Sequence, residues 1–93
     1  MAGFNAHPTP NPNSLKFTRH AGVFISAGMA SYASAADAAG TPWAEQLFAI
    51  GGIANVFVMP QFLTVTKTTD ADWDDLFERI EGVLAAHFEE AGG

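Results

Sequence analysis

The sequence predicts an α+β domain in which two helices pack on one face of an antiparallel sheet of about four strands. Three observations lead to this prediction. Residues 41–67 hold a short helical pattern followed by two β-rich runs, residues 73–88 carry a long apolar stripe at helical spacing, and residues 14–30 hold two alternating runs. The predicted order is strand, strand, helix, strand, strand, helix.

A proline-rich segment precedes the first strand. Prolines push the residues before them toward extended geometry, so residues 1–12 are predicted to form an extended arm or a strand lead-in. Apolar side chains then alternate over residues 14–19 and again over residues 23–30. Residues 20–22 suit a turn, so these two runs are expected to form an N-terminal hairpin.

The first helix has recognisable signals at both ends. Thr41 is expected to cap it with its hydroxyl, and Pro42 suits the first helical position, where no backbone donor is needed. Gly51-Gly52 is expected to end the helix in a left-handed conformation. In front of this helix, Ser34 and Asp37 resemble a capping box, which predicts one helical turn.

A β-hairpin is predicted directly after this helix, from the runs 53–59 and 62–67. If Pro60-Gln61 is a two-residue turn, Met59 pairs with Phe62 and every other cross-strand pair follows. Proline supplies neither positive φ of the favoured type I′ turn, so a longer loop with shifted pairing stays open.

The last helix has the longest periodic pattern in the chain, and a capping cluster at residues 68–70 is expected to start it. Its sheet-facing side chains should pack with those of the first helix and the hairpin, and residues 90–93 are expected to form a disordered tail. The residues predicted to meet in this core are Trp73, Leu76, Phe77, Ile80, Leu84, Leu47, Val56, Leu63 and Val65.

Composition excludes several classes of function. The 93 residues suit one small domain, 1–93, and a net charge of −6 argues against nucleic acid, which is bound chiefly through Lys and Arg. No cysteine is present, so the chain has no thiolate nucleophile, disulfide or cysteine-ligated cluster. No apolar run reaches the roughly 20 residues that cross a bilayer. The expected location is therefore cytoplasmic, without membrane contact.

No catalytic, cofactor-binding or metal-ligating residue is predicted, and the chain is not expected to be an enzyme. His7, His20 and His87 fall in different elements and lack the spacing of a helical metal site. The aspartates of residues 70–75 lack the glycine and distal glutamate of a calcium loop, so helix capping explains them. Neither a G-x-S-x-G nor a phosphate-binding loop motif occurs.

One candidate binding surface remains. The hairpin register puts Phe57, Met59 and Phe62 on the face opposite the aliphatic one. Clustered aromatic and methionine side chains on a soluble domain often mark a partner-binding patch. The alternatives are that an arm or loop covers these residues, or that the register is different.

Three segments in order resemble one known family. They are TPNPNSLKF at 9–17, TPWAEQLFAIGGIANVFVMPQFLTVTK at 41–67 and DADWDDL at 70–76. Over residues 8–88 the chain is similar to the N-terminal domain of Nfu/NifU-type iron–sulfur cluster scaffold proteins. In that family this α+β domain precedes a second domain whose Cys-x-x-Cys pair holds the cluster. The turn at residues 59–61 departs from the small or polar turn that the family more usually has.

The resemblance implies a non-catalytic module that docks a scaffold, client or chaperone of iron–sulfur cluster assembly, as a monomer or weak homodimer. Because the chain has no cysteine, it cannot itself hold a thiolate-ligated cluster. Two alternatives stay open: a small metal-binding protein or enzyme that uses His and carboxylates, and a general interaction protein that shares the fold.

Overall fold

A computed structural model describes residues 4–19 and 23–89. The fold is α+β, with a five-stranded antiparallel sheet in the order β1-β2-β5-β4-β3 and two α-helices. A five-residue π-helical turn, Ala85–Glu89, extends the second helix. The elements are β1 Phe4–Pro8, β2 Ser14–Arg19, β3 Ala30–Tyr32, α1 Pro42–Ala49, β4 Ile53–Val58, β5 Leu63–Lys67 and α2 Trp73–Leu84.

The predicted four-strand order is wrong at the N-terminal end. Residues 24–28 form a bend, and Gly28 in it has a φ of 79°, a left-handed conformation that interrupts an extended strand. Phe24 turns into the core, and its N–H donates to the Pro60 carbonyl at 2.9 Å. Only Ala30 from the predicted second strand remains in a strand. The two edge strands of the sheet, β1 and β3, are therefore not the ones expected.

Strand β2 has different partners from those predicted. It pairs with β1 on one side and β5 on the other, so Phe4–Pro8 of the predicted arm forms the edge of the sheet. The short strand β3 instead pairs with β4. The predicted turn at residues 20–22 and the predicted tail at residues 90–93 lie outside the described residues.

The β4–β5 hairpin has the register derived from a two-residue turn. Met59 N–H donates to the Phe62 carbonyl at 2.8 Å, and Phe62 N–H donates back to the Met59 carbonyl at 3.3 Å. Val58 pairs with Leu63, and the strands stay in phase until a bulge near Ile53. Pro60-Gln61 is thus the turn, and the alternative with a longer loop is excluded.

The core lies between the sheet and the two helices. Fully buried side chains come from one face of β2, β4 and β5, and the buried residues of α2 are Leu76, Ile80 and Leu84. Phe77 is half-buried and stacks on Phe17 with ring centroids 6.0 Å apart. The predicted core residues all belong to this cluster, with Trp73 and Phe77 at its margin.

The helix caps differ from those predicted. Thr41 occupies the N-cap position of α1 but makes no side-chain capping bond, whereas the Glu45 carboxylate accepts from Gly40 N–H at 2.8 Å. The N-cap of α2 is Asp72, whose carboxylate accepts from Asp74 N–H at 3.0 Å. Carboxylates rather than threonine hydroxyls thus satisfy the free amides near both helix starts.

Gly52 is constrained by both its backbone and its neighbours, which leads to a testable expectation. Its φ is +82°, and an added Cβ would lie 3.0 Å from the Ala71 Cβ, whereas at Gly51, with a φ of +88°, nothing lies within 4 Å. We expect Gly52→Ala to lower the free energy of unfolding by about 1–2 kcal/mol. Gly51→Ala is the matched control, since it has the same backbone strain without the contact.

Urea denaturation of the two variants measures the difference. Gly51→Ala is expected to lower the free energy of unfolding less than Gly52→Ala does, because only Gly52→Ala brings a Cβ against Ala71. Equal losses of stability would mean that Ala71, in the loop before α2, can move away from the added Cβ without lowering the free energy of unfolding.

Arg19 and an aromatic cluster fasten the end of α2. The π-helical turn brings the Phe88 ring to 5.1 Å from Phe24 and 5.6 Å from Trp43. The Arg19 guanidinium lies over Phe88 at 5.6 Å and donates to the carbonyls of Phe88 and Val23. The bend after β2, helix α1 and the end of α2 are therefore tied together at one point.

A candidate docking face on the open side of the sheet

Both helices cover the same face of the sheet, which leaves the other face uncovered among the described residues. The side chains on this second face alternate along the strands with the buried ones, and all except Ser14 are half-buried or exposed. We call this surface the open face. Its members are Asn5, His7, Ser14, Lys16, Thr18, Ser31, Asn55, Phe57, Met59, Phe62, Thr64 and Thr66.

An aromatic pair lies near the middle of the open face. The rings of Phe57 and Phe62 are 6.0 Å apart and tilted by 45°. Phe57 pairs directly with Thr64, which in turn pairs with Lys16 on β2. The Lys16 ammonium lies 4.9 Å from the centre of the Phe62 ring, within the range of a cation–π interaction. A cation therefore borders the aromatic pair.

Two methionines extend the apolar surface toward the hairpin turn. Met59 pairs with Phe62 beside the turn and is half-buried. The β3–β4 pairing ends at Ala30 and Val58, so Met29 and Met59 are the next residues of the two segments beyond this last pair. Met29 is 68% exposed. The residues Met29, Phe57, Met59 and Phe62 together form what we call the apolar patch.

Met29 was not among the predicted site residues. The sequence pattern places it in a continuous strand from residue 23, and in that strand it appears as one more alternating apolar side chain. Its position next to the last pair of β3 and β4 depends on a pairing that no local pattern indicates. The other members of the patch lie where the hairpin register predicts them.

The polar part of the open face bonds internally. The hydroxyls of Ser14 and Thr66 are 2.7 Å apart, and His7 Nε2 lies 3.1 Å from Thr18 Oγ1. These contacts link β1 to β2 and β2 to β5. They join the three strands at the side-chain level, and the apolar patch adjoins this polar part.

The proline-rich loop between β1 and β2 has a structural role. Asn13 accepts from the Lys67 ammonium at 3.0 Å, and the Asn11 side chain accepts from Asn13 N–H at 2.9 Å. Trp73 Nε1 donates to the Pro12 carbonyl at 3.1 Å, joining the loop to the start of α2. The residues of TPNPNSLKF and DADWDDL thus contact each other and hold the two halves of the domain together.

Within residues 4–19 and 23–89, no three His, Cys, Asp or Glu side chains are grouped so as to hold a metal ion. The same residues contain no helix with the length and apolar character to span a bilayer. His7 lies on β1 and His87 in the π-helical turn, while His20 is outside the described residues. A hydrogen bond from Thr68 lowers the pKa of the exposed Asp70 carboxyl, which favours the ionised form and does not suit a general acid.

The fold defines the chain as a two-layer α+β domain with one open sheet face. Residues 4–91 match the family described as scaffold protein Nfu/NifU N terminal, and the chain belongs to this family. The resemblance noted from the three sequence segments is therefore confirmed.

The chain is similar in sequence to curated proteins and in fold to solved structures. It is 45% identical over 81 residues to the human NFU1 iron-sulfur cluster scaffold homolog, mitochondrial, covering 86% of the chain and 32% of that protein. It is 41% identical over 76 residues to NifU-like protein 5, mitochondrial, from Arabidopsis thaliana, covering 82% of the chain and 27% of that protein. The chain thus spans about a third or less of their length.

The solved structures share the fold. The solution structure of a NifU-like protein from Saccharomyces cerevisiae superposes with a TM-score of 0.82 at 22% identity, over 99% of this chain and 81% of that one. A crystal structure of a Staphylococcus aureus protein gives a TM-score of 0.72 at 22% identity, over 86% of this chain and 94% of that one.

The expected cytoplasmic location is wrong by this comparison. The relatives from human and Arabidopsis thaliana are mitochondrial proteins by name. The composition argument failed because it tested only for secretion and membrane insertion, and neither property distinguishes a mitochondrial protein from a cytoplasmic one.

Proposed function

We propose that this chain is a non-catalytic docking module of iron–sulfur cluster assembly, which binds assembly or client proteins through the open face. Family membership supports the pathway, because the similar human protein is named a cluster scaffold homolog. The absence of cysteine supports a docking role rather than cluster ligation by the chain itself. In this proposal the partners are proteins, and neither a nucleic acid nor a membrane is bound. The chain acts as a monomer or a weak homodimer.

The apolar patch is the observation that carries this proposal. Phe57 and Phe62 form a pair on the face that no described helix covers, with Met59 beside them. Aromatic side chains supply much of the binding energy at protein interfaces, and methionine adapts its shape to different partners. Pro60 stiffens the turn that carries Met59, which lowers the cost of ordering this loop on binding.

The size of the open face favours transient binding. Five strands at about 4.8 Å spacing, with residues about 3.3 Å apart, give a face roughly 20 Å on a side. That is on the order of 400 Å², below the roughly 800 Å² per partner buried in a stable complex. A partner held by this face alone would dissociate readily, as cluster delivery requires.

The double variant Phe57→Ser/Phe62→Ser tests the proposal. We expect capture of iron–sulfur cluster assembly proteins from lysate, identified by mass spectrometry, to weaken by at least about tenfold, or roughly 1.4 kcal/mol. The melting temperature should change little, because both rings are only half-buried.

The control is the variant Trp73→Phe, which changes an aromatic residue away from the open face and should capture the same proteins. If Phe57→Ser/Phe62→Ser melts normally and captures the assembly proteins as the wild type does, the docking surface lies elsewhere. If the double variant unfolds, the single variant Met59→Ser gives the same test at the edge of the patch.

A further inference from the structure

The charges of this chain are separated between the sheet and the rest of the domain. None of the five strands contains Asp or Glu, whereas three of the four Lys and Arg residues lie in strands. The carboxylates belong to the segment around α1 and to α2 with its flanks. They are Asp37, Glu45, Asp70, Asp72, Asp74, Asp75, Glu78, Glu81, Glu89 and Glu90.

Lys16 is the strand cation on the open face. Arg19 contacts Phe88 at the end of α2, and Lys67 donates to Asn13, so both point away from this face. Lys16 is exposed and lies against the Phe62 ring. The strand residues of the open face therefore include a positive charge and no carboxylate, although the chain as a whole carries a net charge of −6.

The carboxylates of α2 lie on the far side of the helix layer, where their field is weak at the open face. Screening in physiological salt has a length of about 8 Å, so the field of these solvent-exposed charges falls off over a short distance. An acidic partner thus meets the carboxylates of α2 on the helix side, whereas on the open face it meets the Lys16 ammonium. Charge complementarity therefore selects both the partner and the face that it contacts.

We propose that the open face binds an amphipathic helix that carries carboxylates beside its apolar stripe. This inference rests on the proposed function and names the chemistry of the partner. The apolar stripe would contact the patch formed by Met29, Phe57, Met59 and Phe62, and a flanking carboxylate would pair with Lys16. An amphipathic helix is the element that ordinarily covers a sheet face, and about 13 residues of helix span roughly 20 Å.

Two synthetic peptides test this proposal. Both form amphipathic helices with the same leucine and phenylalanine stripe, flanked by glutamate in one peptide and by lysine in the other. Each is titrated into the isotope-labelled full chain while backbone amide shifts are followed by NMR. The acidic peptide should give saturable shifts on the open face, at Lys16, Phe57 and Thr64, and the basic peptide should shift α2 instead.

Lys16→Gln should weaken binding of the acidic peptide by about three- to fivefold, as expected for the loss of one exposed ion pair. Arg79→Gln, an equivalent loss of charge on the exposed side of α2, should leave that affinity unchanged. The proposal is overturned if the acidic peptide shifts no open-face amide, or if both peptides bind there equally and Lys16→Gln has no effect.

These outcomes are separable from a failure of the proposed function. If the acidic peptide does not bind but Phe57→Ser/Phe62→Ser still loses the assembly proteins, the docking face is correct and the acidic partner is wrong. If the acidic peptide binds the open face and the double variant captures assembly proteins normally, the chemistry of the face is supported and its role in assembly is rejected.

Discussion

Leu76→Ala is expected to lower the free energy of unfolding by about 2–5 kcal/mol, the range for removing a large aliphatic side chain from a core. Leu76 is 5% exposed and lies between α2 and the sheet, next to the glycine turn that ends α1. Domains of this size have a stability of roughly 5–15 kcal/mol. The single change therefore removes a large part of the total and is the most damaging of the variants considered.

Urea denaturation followed by tryptophan fluorescence measures this loss, because Trp73 and Trp43 both pack against the core. Glu78→Ala is the control, since it shortens an exposed side chain two positions along the same helix. It should change stability by less than about 0.5 kcal/mol. A loss at Leu76 as small as that would place its side chain on the surface and refute the packing of α2.

Arg19→Met is expected to lower the free energy of unfolding by about 2–3 kcal/mol. Hydrogen bonds from a charged group contribute about 1.5–3 kcal/mol each, and the partial exposure of this side chain reduces their sum. The guanidinium donates to the carbonyls of Val23 and Phe88 and lies over the Phe88 ring. Methionine keeps much of the length and apolar contact but has no donor. The π-helical turn that carries Phe88 should therefore open more often.

Hydrogen exchange at the amides of residues 85–88 reports this opening separately from global stability. Arg79→Met is the matched control, since the same substitution on the exposed face of α2 removes a charge without a described carbonyl contact. If the two variants lose the same stability and leave exchange in the π-helical turn unchanged, Arg19 does not fasten the end of α2.

The second half of the fold was predictable because its local patterns agree with its packing. The apolar stripe of α2 has helical spacing and buries Leu76, Ile80 and Leu84. The hairpin strands alternate, and the two-residue turn fixed their register, from which the positions of Phe57 and Phe62 followed. At these places the sequence period and the tertiary structure require the same arrangement.

The first half was less predictable because tertiary contacts decide it. Residues 23–30 alternate like a strand, yet Phe24 packs against Phe88 and Phe4, and the chain bends to allow this. Strand β1 contains Pro8, which is tolerated because it lies at the end of an edge strand. Strand β3 is three residues long, and it adopts an extended conformation because it pairs with β4 rather than because of its own propensity.

The candidate site shows the same division. Its three predicted residues depended only on the hairpin, whereas Met29 required the pairing of β3 with β4. Lys16 was visible in the sequence as an isolated cation, but its place beside Phe62 required the β2–β5 pairing of segments about 50 residues apart. No periodic pattern within one segment contains that information.

The two outer strands of the sheet are poor templates for further strand pairing. Strand β3 offers only three residues of backbone, and β1 ends at Pro8, which has no N–H to donate. Short edges and proline are the means by which soluble sheets avoid joining edge to edge into aggregates. The edges of the sheet thus offer little backbone for pairing, even though one of its faces is uncovered among the described residues. The docking that we propose would therefore use side chains on that face rather than extend the sheet by adding a strand.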